Sequence, residues 1–272
     1  MKTHRVLVAE DNEANRLLAL KQLERLGVRA EAVADGEEAV AVIKTCAFDL
    51  VFMDCNMPRL DGFAATRRIR EDEEAAEASA DGAPGRHIVI VAMTAGAMDG
   101  DRAACLAAGM DDYLCKPVML ADLQGVVARW LTPQEAGEQP PGGVAGTSAP
   151  AGASDAAVDA AAFEALRSSL GDDEFVASFV DTFLSQLSVR LESLEASATA
   201  GDGTGLRFVA HTLKSTSAML GAARLAQLCA DLESAADGPG GRRTDLVSAI
   251  GREAERVGAE LGPWRDRRRA VA

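Results

Sequence analysis

The sequence predicts an α/β domain, a doubly wound five-stranded parallel sheet, followed by an all-α domain, an antiparallel helical bundle. Three observations carry this. Short apolar runs alternate with amphipathic stretches over residues 5–131. Residues 133–154, dense in Pro, Gly, Ala, Ser and Thr, interrupt that pattern. From Asp159 onward only helical periodicity remains. Strands that alternate with helices pair in parallel through right-handed crossovers. The expected organisation is residues 1–132 for the α/β domain, 133–154 for a flexible linker and 155–272 for the helical domain. A chain of 272 residues suits two domains at about 100–200 residues each.

The predicted strands are residues 6–9, 30–33, 50–53, 88–93 and 113–114. The central ones are apolar throughout, as required when helices cover both faces of a sheet. The helices between them are predicted over residues 15–26, 37–46, 63–71, 101–108 and 120–131. The acidic run 71–77, with the Gly-Ala-Pro-Gly stretch after it, reads as a solvated extension of the loop before the fourth strand. In the second domain the helical patterns cover residues 163–169, 175–198, 205–220, 223–236 and 245–261, punctuated by glycine-rich turns. The basic tail 265–269 reads as a frayed terminus, with binding to an acidic partner as the alternative.

Composition narrows the function. The net charge of −14 argues against nucleic-acid partners and against membrane surfaces. The cysteines Cys46, Cys55, Cys105, Cys115 and Cys229 are odd in number and form no CxxC pair. That is the usage of a reduced cytosol, not a disulfide framework. No apolar run approaches the ~20 residues needed for membrane insertion. The chain enters a strand at Arg5, so no signal peptide is expected. The expectation is a soluble, cytoplasmic protein.

In an open parallel sheet, chemistry gathers at the carboxyl ends of the strands. Glu10 and Asp11 follow strand one, Asp54 strand three, Thr94 strand four, and Lys116 and Pro117 strand five. Three neighbouring carboxylates repel each other and call for a cation. Hard oxygen donors with open positions suit Mg2+, with Mn2+ as the alternative. The ion and Lys116 together balance the carboxylates and can then neutralise an incoming phosphoryl group. Asp is itself a competent nucleophile, since carboxylates form acyl phosphates.

The second domain carries one histidine, His211, in a run of small residues from Ala210 to Ala222. At helical period Leu206, Val209, Leu213 and Leu220 share one face, and His211 is expected on the opposite face, in water. Lys214, Ser215, Ala218 and Gly221 are expected beside it. An open imidazole with a cation one turn away fits closure by another protein's active site.

Two resemblances sharpen this reading. Residues 5–131 resemble the receiver domain of two-component response regulators, in the style attached to hybrid histidine kinases. The stretches that carry it are Val8-Ala9-Glu10-Asp11-Asn12, Met53-Asp54-Cys55-Asn56-Met57-Pro58, Asp61-Gly62, Ala92-Met93-Thr94-Ala95 and Gly109-Met110-Asp111-Asp112-Tyr113-Leu114-Cys115-Lys116-Pro117. The resemblance implies a flavodoxin-like sheet with Asp54 as phosphoacceptor. It implies Mg2+ held by Glu10, Asp11, Asp54 and the Asn56 carbonyl, with Thr94 and Lys116 on the phosphoryl oxygens. It also implies that Tyr113 is the aromatic switch residue coupled to Thr94, and that the bond before Pro117 is cis. Glu10 stands where the pattern has Asp, an exchange common in this style. Gly96 is smaller than the pattern leads one to expect, which implies a labile aspartyl phosphate.

The stretch from His211, with His-x-x-Lys, Ser215, Leu220, Gly221 and then Leu225, Leu228 and Leu232, resembles the His-containing phosphotransfer (HPt) family. That resemblance implies a four-helix bundle and a phosphorylatable His211, with Lys214 supporting it.

Together these imply a phosphorelay intermediate in signal transduction. Phosphate would arrive at Asp54 from an upstream sensor histidine kinase, pass to His211 and leave to the receiver domain of a downstream response regulator. His4 and His87 read as incidental, and the sequence has neither a Gly-rich ATP lid nor a DNA-binding segment. Self-phosphorylation from a phosphohistidine donor and autodephosphorylation are therefore the most enzymatic activity expected. A linker of ~20 residues has an r.m.s. span of about 25 Å, which allows transfer within one chain. Met1 followed at once by a strand suits a free-standing protein, against the alternative of a detached part of a hybrid kinase. Three other readings stand beside this one. A haloacid-dehalogenase-type phosphatase would need Asp-x-Asp on strand one, and the candidate nucleophile is on strand three. The receiver could switch the helical domain without transfer. The pair could also act as a phosphate sink draining a pathway.

Overall fold

The computed structural model describes residues 4–79, 87–95, 99–131, 156–238 and 240–269. The chain divides into two compact units, Met1–Thr147 and Ser148–Ala272. The expected linker and Gly96 lie outside the described residues.

The first unit alternates β1 (Arg5–Ala9), α1 (Glu13–Arg25), β2 (Arg29–Val33), α2 (Gly36–Thr45), β3 (Leu50–Asp54), α3 (Gly62–Ser79), β4 (Val89–Thr94), α4 (Asp99–Ala107), β5 (Asp112–Cys115) and α5 (Leu120–Leu131). The strands form one sheet in the order β2-β1-β3-β4-β5, all pairs parallel. Successive strand residues point to opposite faces, and the core divides accordingly. Leu7, Ala9, Val51, Met53, Ile90 and Ala92 pack with Ala39, Ala65, Ile69 and Cys105 on one face. Val6, Val8, Leu50, Phe52, Val91 and Met93 pack with Leu23, Leu123 and Val126 on the other. This is the doubly wound sheet the alternation predicts.

The order also fixes where the chemistry sits. From β1 the chain steps outward to β2, then crosses back past β1 to β3. That reversal opens a crevice at the carboxyl ends of β1 and β3.

Several predicted boundaries shift. Asp54 and Thr94 are the last residues of β3 and β4 rather than the first residues beyond them. The acidic run 71–77 is not loop. It continues α3, where most of it is exposed while Glu73 accepts from Arg70 and from the Ile88 amide. A run of Glu and Ala is a good helix former, and the solvated face tolerates its charge.

The described residues of the second unit form α6 (Ala160–Leu170), α7 (Asp173–Ala200), α8 (Gly203–Met219), α9 (Ala223–Ala235) and α10 (Gly240–Arg269). Asp159, Asp172 and Asp202 cap α6, α7 and α8 by accepting first-turn amides. Neighbours in α7–α10 pack side by side, and α10 closes the ring on α7. Short connections make sequential helices antiparallel. Phe179, Phe183, Leu187, Leu206, Leu213, Leu225, Leu232, Ile250 and Val257 are buried. At the α8–α9 corner Gly221 sits at φ 79°, and a Cβ there would meet the Asp159 carbonyl at 2.9 Å.

The basic tail also differs from expectation, because α10 runs on to Arg269, through Pro263. Trp264 explains the extension. Its ring meets Phe163 edge-on at 5.1 Å, and the Arg167 guanidinium lies 5.7 Å over it.

Candidate functional site: an acidic crevice and a paired histidine

In the first unit the sheet brings the predicted polar groups to one crevice. The register sets Ala9 beside Met53, so Glu10 and Asp11 leave β1 next to Asp54. Carboxylate oxygens of Glu10, Asp11 and Asp54 lie within 4.8 Å of one another. Lys116 Nζ donates to Asp54 Oδ2 at 2.6 Å and lies 2.7 Å from Glu10 Oε2. The Asn56 amide donates to Asp54 Oδ1 at 3.0 Å. Thr94, buried, ends the neighbouring strand, and its carbonyl accepts from the Lys116 amide at 2.6 Å. The Lys116–Pro117 peptide is cis. Tyr113, on β5, is partly buried against the core cluster on the α2–α4 side of the sheet.

Glu10, Asp54 and Lys116 are each almost wholly enclosed, and that decides the electrostatics. Burial raises the Asp54 carboxyl; Lys116 opposes the rise, Glu10 and Asp11 add to it, and the result is a pKa pushed up to about 7. Burial also works against the Lys116 ammonium. The carboxylates of Asp54 and Glu10 outweigh it and lift its pKa above the usual lysine range. Three carboxylates share one cation in this enclosure. A divalent ion would bring the sum of these charges to zero. Hard oxygen donors are also the set that Mg2+ takes, so these residues fit a divalent cation.

Gly62, at the start of α3, packs against the phosphoacceptor candidate's own backbone. A Cβ there would lie 2.2 Å from the Asp54 carbonyl oxygen. Cys55, next in the chain, is no rival nucleophile. Its hydrogen bond with Cys105 and its burial hold the thiol protonated, far above the usual range.

The second unit corrects the sequence expectation for His211. The imidazole does not stand open in water; its side chain is only 14% exposed. Its Nδ1 lies 2.7 Å from Glu233 Oε1, and Lys214 Nζ donates to Glu233 Oε2. α8 packs against both α7 and α9, so most of its circumference is covered. Ser215, expected on the open face, is buried, as are Thr212, Thr216 and Ser217. Thr212 and Thr216 satisfy their hydroxyls on carbonyls four residues back. Small side chains are what let the neighbouring helices approach so closely.

Glu233 is a partner of His211 that helical period alone does not reveal. It lies on the next helix, and only the α8–α9 packing brings it to His211. Burial pushes its carboxyl up, but hydrogen bonds from His211 and Lys214 and the Lys214 charge prevail and hold it below the usual range. A carboxylate beside Nδ1 favours the tautomer that carries its hydrogen there.

Comparison with known proteins agrees with this anatomy. Residues 6–128 match the response regulator receiver domain, and residues 178–260 match the Hpt domain. The chain therefore belongs to the two-component phosphorelay proteins, as a receiver domain followed by an Hpt domain. Sensor histidine kinase GacS of Pseudomonas protegens is 33% identical over 232 residues, 83% of this chain and 23% of its own length. Virulence sensor protein BvgS of Bordetella pertussis is 30% identical over 274 residues, 97% of this chain and 21% of its own length. The chain thus spans between a fifth and a quarter of these relatives. Among solved structures, the receiver domain of sensor histidine kinase PA1611 from Pseudomonas aeruginosa, crystallised with magnesium in its active site cleft, is 42% identical. It covers 48% of this chain and 98% of that one, with a TM-score of 0.41. Among the described residues, no helix is long and apolar enough to cross a membrane.

Proposed function

We propose that the chain is a phosphorelay intermediate. It accepts a phosphoryl group on Asp54 from a sensor histidine kinase and passes it through His211 to the receiver domain of a response regulator. One observation carries the reading: a buried carboxylate at the β1/β3 crevice is held on a lysine ammonium, with two further acids beside it.

In the first step an Asp54 carboxylate oxygen attacks the phosphorus of a phosphohistidine in line. The O–P bond forms, the N–P bond breaks, and the electron pair returns to the donor imidazole. Lys116 leaves its carboxylate partners for the new phosphoryl oxygens, and the Thr94 hydroxyl donates to another. Such transfer depends on positioning and charge neutralisation more than on covalent help. Glu10, Asp11, Asp54 and the Asn56 carbonyl would hold Mg2+, which supplies charge stabilisation on the phosphoryl oxygens. In the second step His211 Nε2 attacks the phosphorus of an aspartyl phosphate in line; the N–P bond forms, the aspartyl O–P bond breaks, and the electron pair returns to the carboxylate. Glu233 holds Nδ1–H and balances the positive charge that develops on the ring. Lys214, already tethered to Glu233, stands one helical turn away to meet the phosphoryl group.

A radiolabel chase from a phosphorylated sensor kinase tests this. His211→Gln should leave label trapped on Asp54, and Asp54→Asn should abolish labelling of His211. Undiminished labelling of His211 in Asp54→Asn would overturn the internal relay.

A further inference from the structure

Glu10 is bonded from more directions than a simple metal ligand needs. Its Oε2 faces Lys116 at 2.7 Å. Its Oε1 accepts from Asn15 Nδ2 at 3.0 Å and from the Asn12 amide at 3.4 Å. Asn15 is 4% exposed, so this amide–carboxylate bond is made away from water. The α1 start is built to allow it. Asn12 is the N-cap and accepts from the amides of Ala14 and Asn15. Asn15 then stands third in the helix, a position whose side chain commonly reaches back to the N-cap amide. Here Glu10 takes that amide instead, and the Asn15 side chain turns onto Glu10. Arg16 completes the clamp from its guanidinium, donating to the carbonyls of Glu10 at 2.9 Å and Asp11 at 3.3 Å.

We infer that Asn15 is a positioning residue for the cation site, acting through Glu10. Its amide fixes the rotamer of a long carboxylate, keeping one oxygen on Lys116 and the acidic group assembled. The inference rests on reading Glu10, Asp11 and Asp54 as a divalent-cation site. Partners behind a ligand orient it, and their loss typically weakens metal binding about 10–100-fold.

The test is a double-mutant cycle on the full chain, read as Mg2+ affinity by calorimetry and as Mn2+ affinity from the free-ion electron spin resonance signal. Asn15→Ala should weaken both ions about ten-fold or more. In a Glu10→Ala background the same substitution should cost nothing further, because its route to the ion is gone. Asn15→Leu, close in volume but without a donor, should repeat the alanine result and serves if the smaller side chain fails to fold. Unchanged affinity in both Asn15 variants would overturn the inference, as would an equal loss with and without Glu10. Absence of Mg2+ binding by the unaltered chain would instead refute the cation site itself, a separable outcome.

Discussion

Asp54→Asn should stabilise the metal-free receiver domain, and do so in a pH-dependent way. The native carboxyl is pushed from 3.8 to about 7, chiefly by burial. The native state therefore holds a proton that the unfolded chain releases, and stability falls as pH rises between those values. Below about pH 4 the carboxyl is neutral in both states and the penalty is absent. Above about pH 7 it is fully present, and the rise in pKa corresponds to at most about 4 kcal/mol. Asparagine removes the charge and keeps one acceptor, enough for either Lys116 or the Asn56 amide, while Lys116 retains Glu10. The variant should therefore gain up to about 4 kcal/mol over the unaltered chain at pH 8 in EDTA, and almost nothing at pH 4.

The two tryptophans make this measurable in the full chain, because Trp130 is on α5 of the receiver and Trp264 on α10 of the helical unit. Urea unfolding followed by Trp130 fluorescence in a Trp264→Phe background isolates the receiver transition. Adding Mg2+ should close the gap by stabilising the unaltered chain selectively, since a ligand that binds only the native state adds RT ln(1 + [L]/Kd). If Asp54→Asn is less stable at pH 8 without metal, or the gap does not shrink on acidification, Lys116 already satisfies Asp54. The site would then not be short of positive charge.

Two further outcomes are expected. Gly62→Ala places a Cβ 2.2 Å from the Asp54 carbonyl oxygen, so the start of α3 must shift against β3. That should cost about 1–3 kcal/mol in the Trp130 transition and slow phosphorylation of Asp54, and full retention of both would show that the loop yields freely. Glu233→Gln should destabilise the helical unit by about 1.5–3 kcal/mol at pH 7, the range for hydrogen bonds to charged groups. Because the native Glu233 carboxyl is held below 4.5, that stabilisation is present above pH 4.5 and lost as the pH falls through the native value. Unfolding followed by Trp264, with the same gap at pH 7 and pH 3, would refute it.

Much of the architecture is legible in residue order. The apolar runs of β1, β3 and β4 are long enough for strands and too uniformly apolar for a one-sided sheet, which forces helices onto both faces. The acids and the lysine stand at strand ends, where a parallel sheet collects its chemistry. The limits of α3 and α10 were less legible. A charge run signals solvent exposure but not whether the exposed segment is helix or loop. The helical reach of the tail past Pro263 depends on Trp264 meeting Phe163, a contact between segments far apart in the chain.

The histidine marks the sharper division. Its position, its lysine one turn on and the small residues around it are local facts, and helical period alone puts them on one helix. Period describes a helix as having one buried side, and α8 is covered by neighbours on more than one, so it could not reveal that Ser215 is enclosed or that His211 is mostly covered. Sequence by itself therefore settled which groups exist, on which element, and that two units follow each other. Tertiary packing alone decided which charges meet: Lys116 between Glu10 and Asp54, Asn15 on Glu10, and Glu233 on His211. Contacts of that kind depend on strand register and helix rotation, which are properties of the packed chain and are written in no single segment of it.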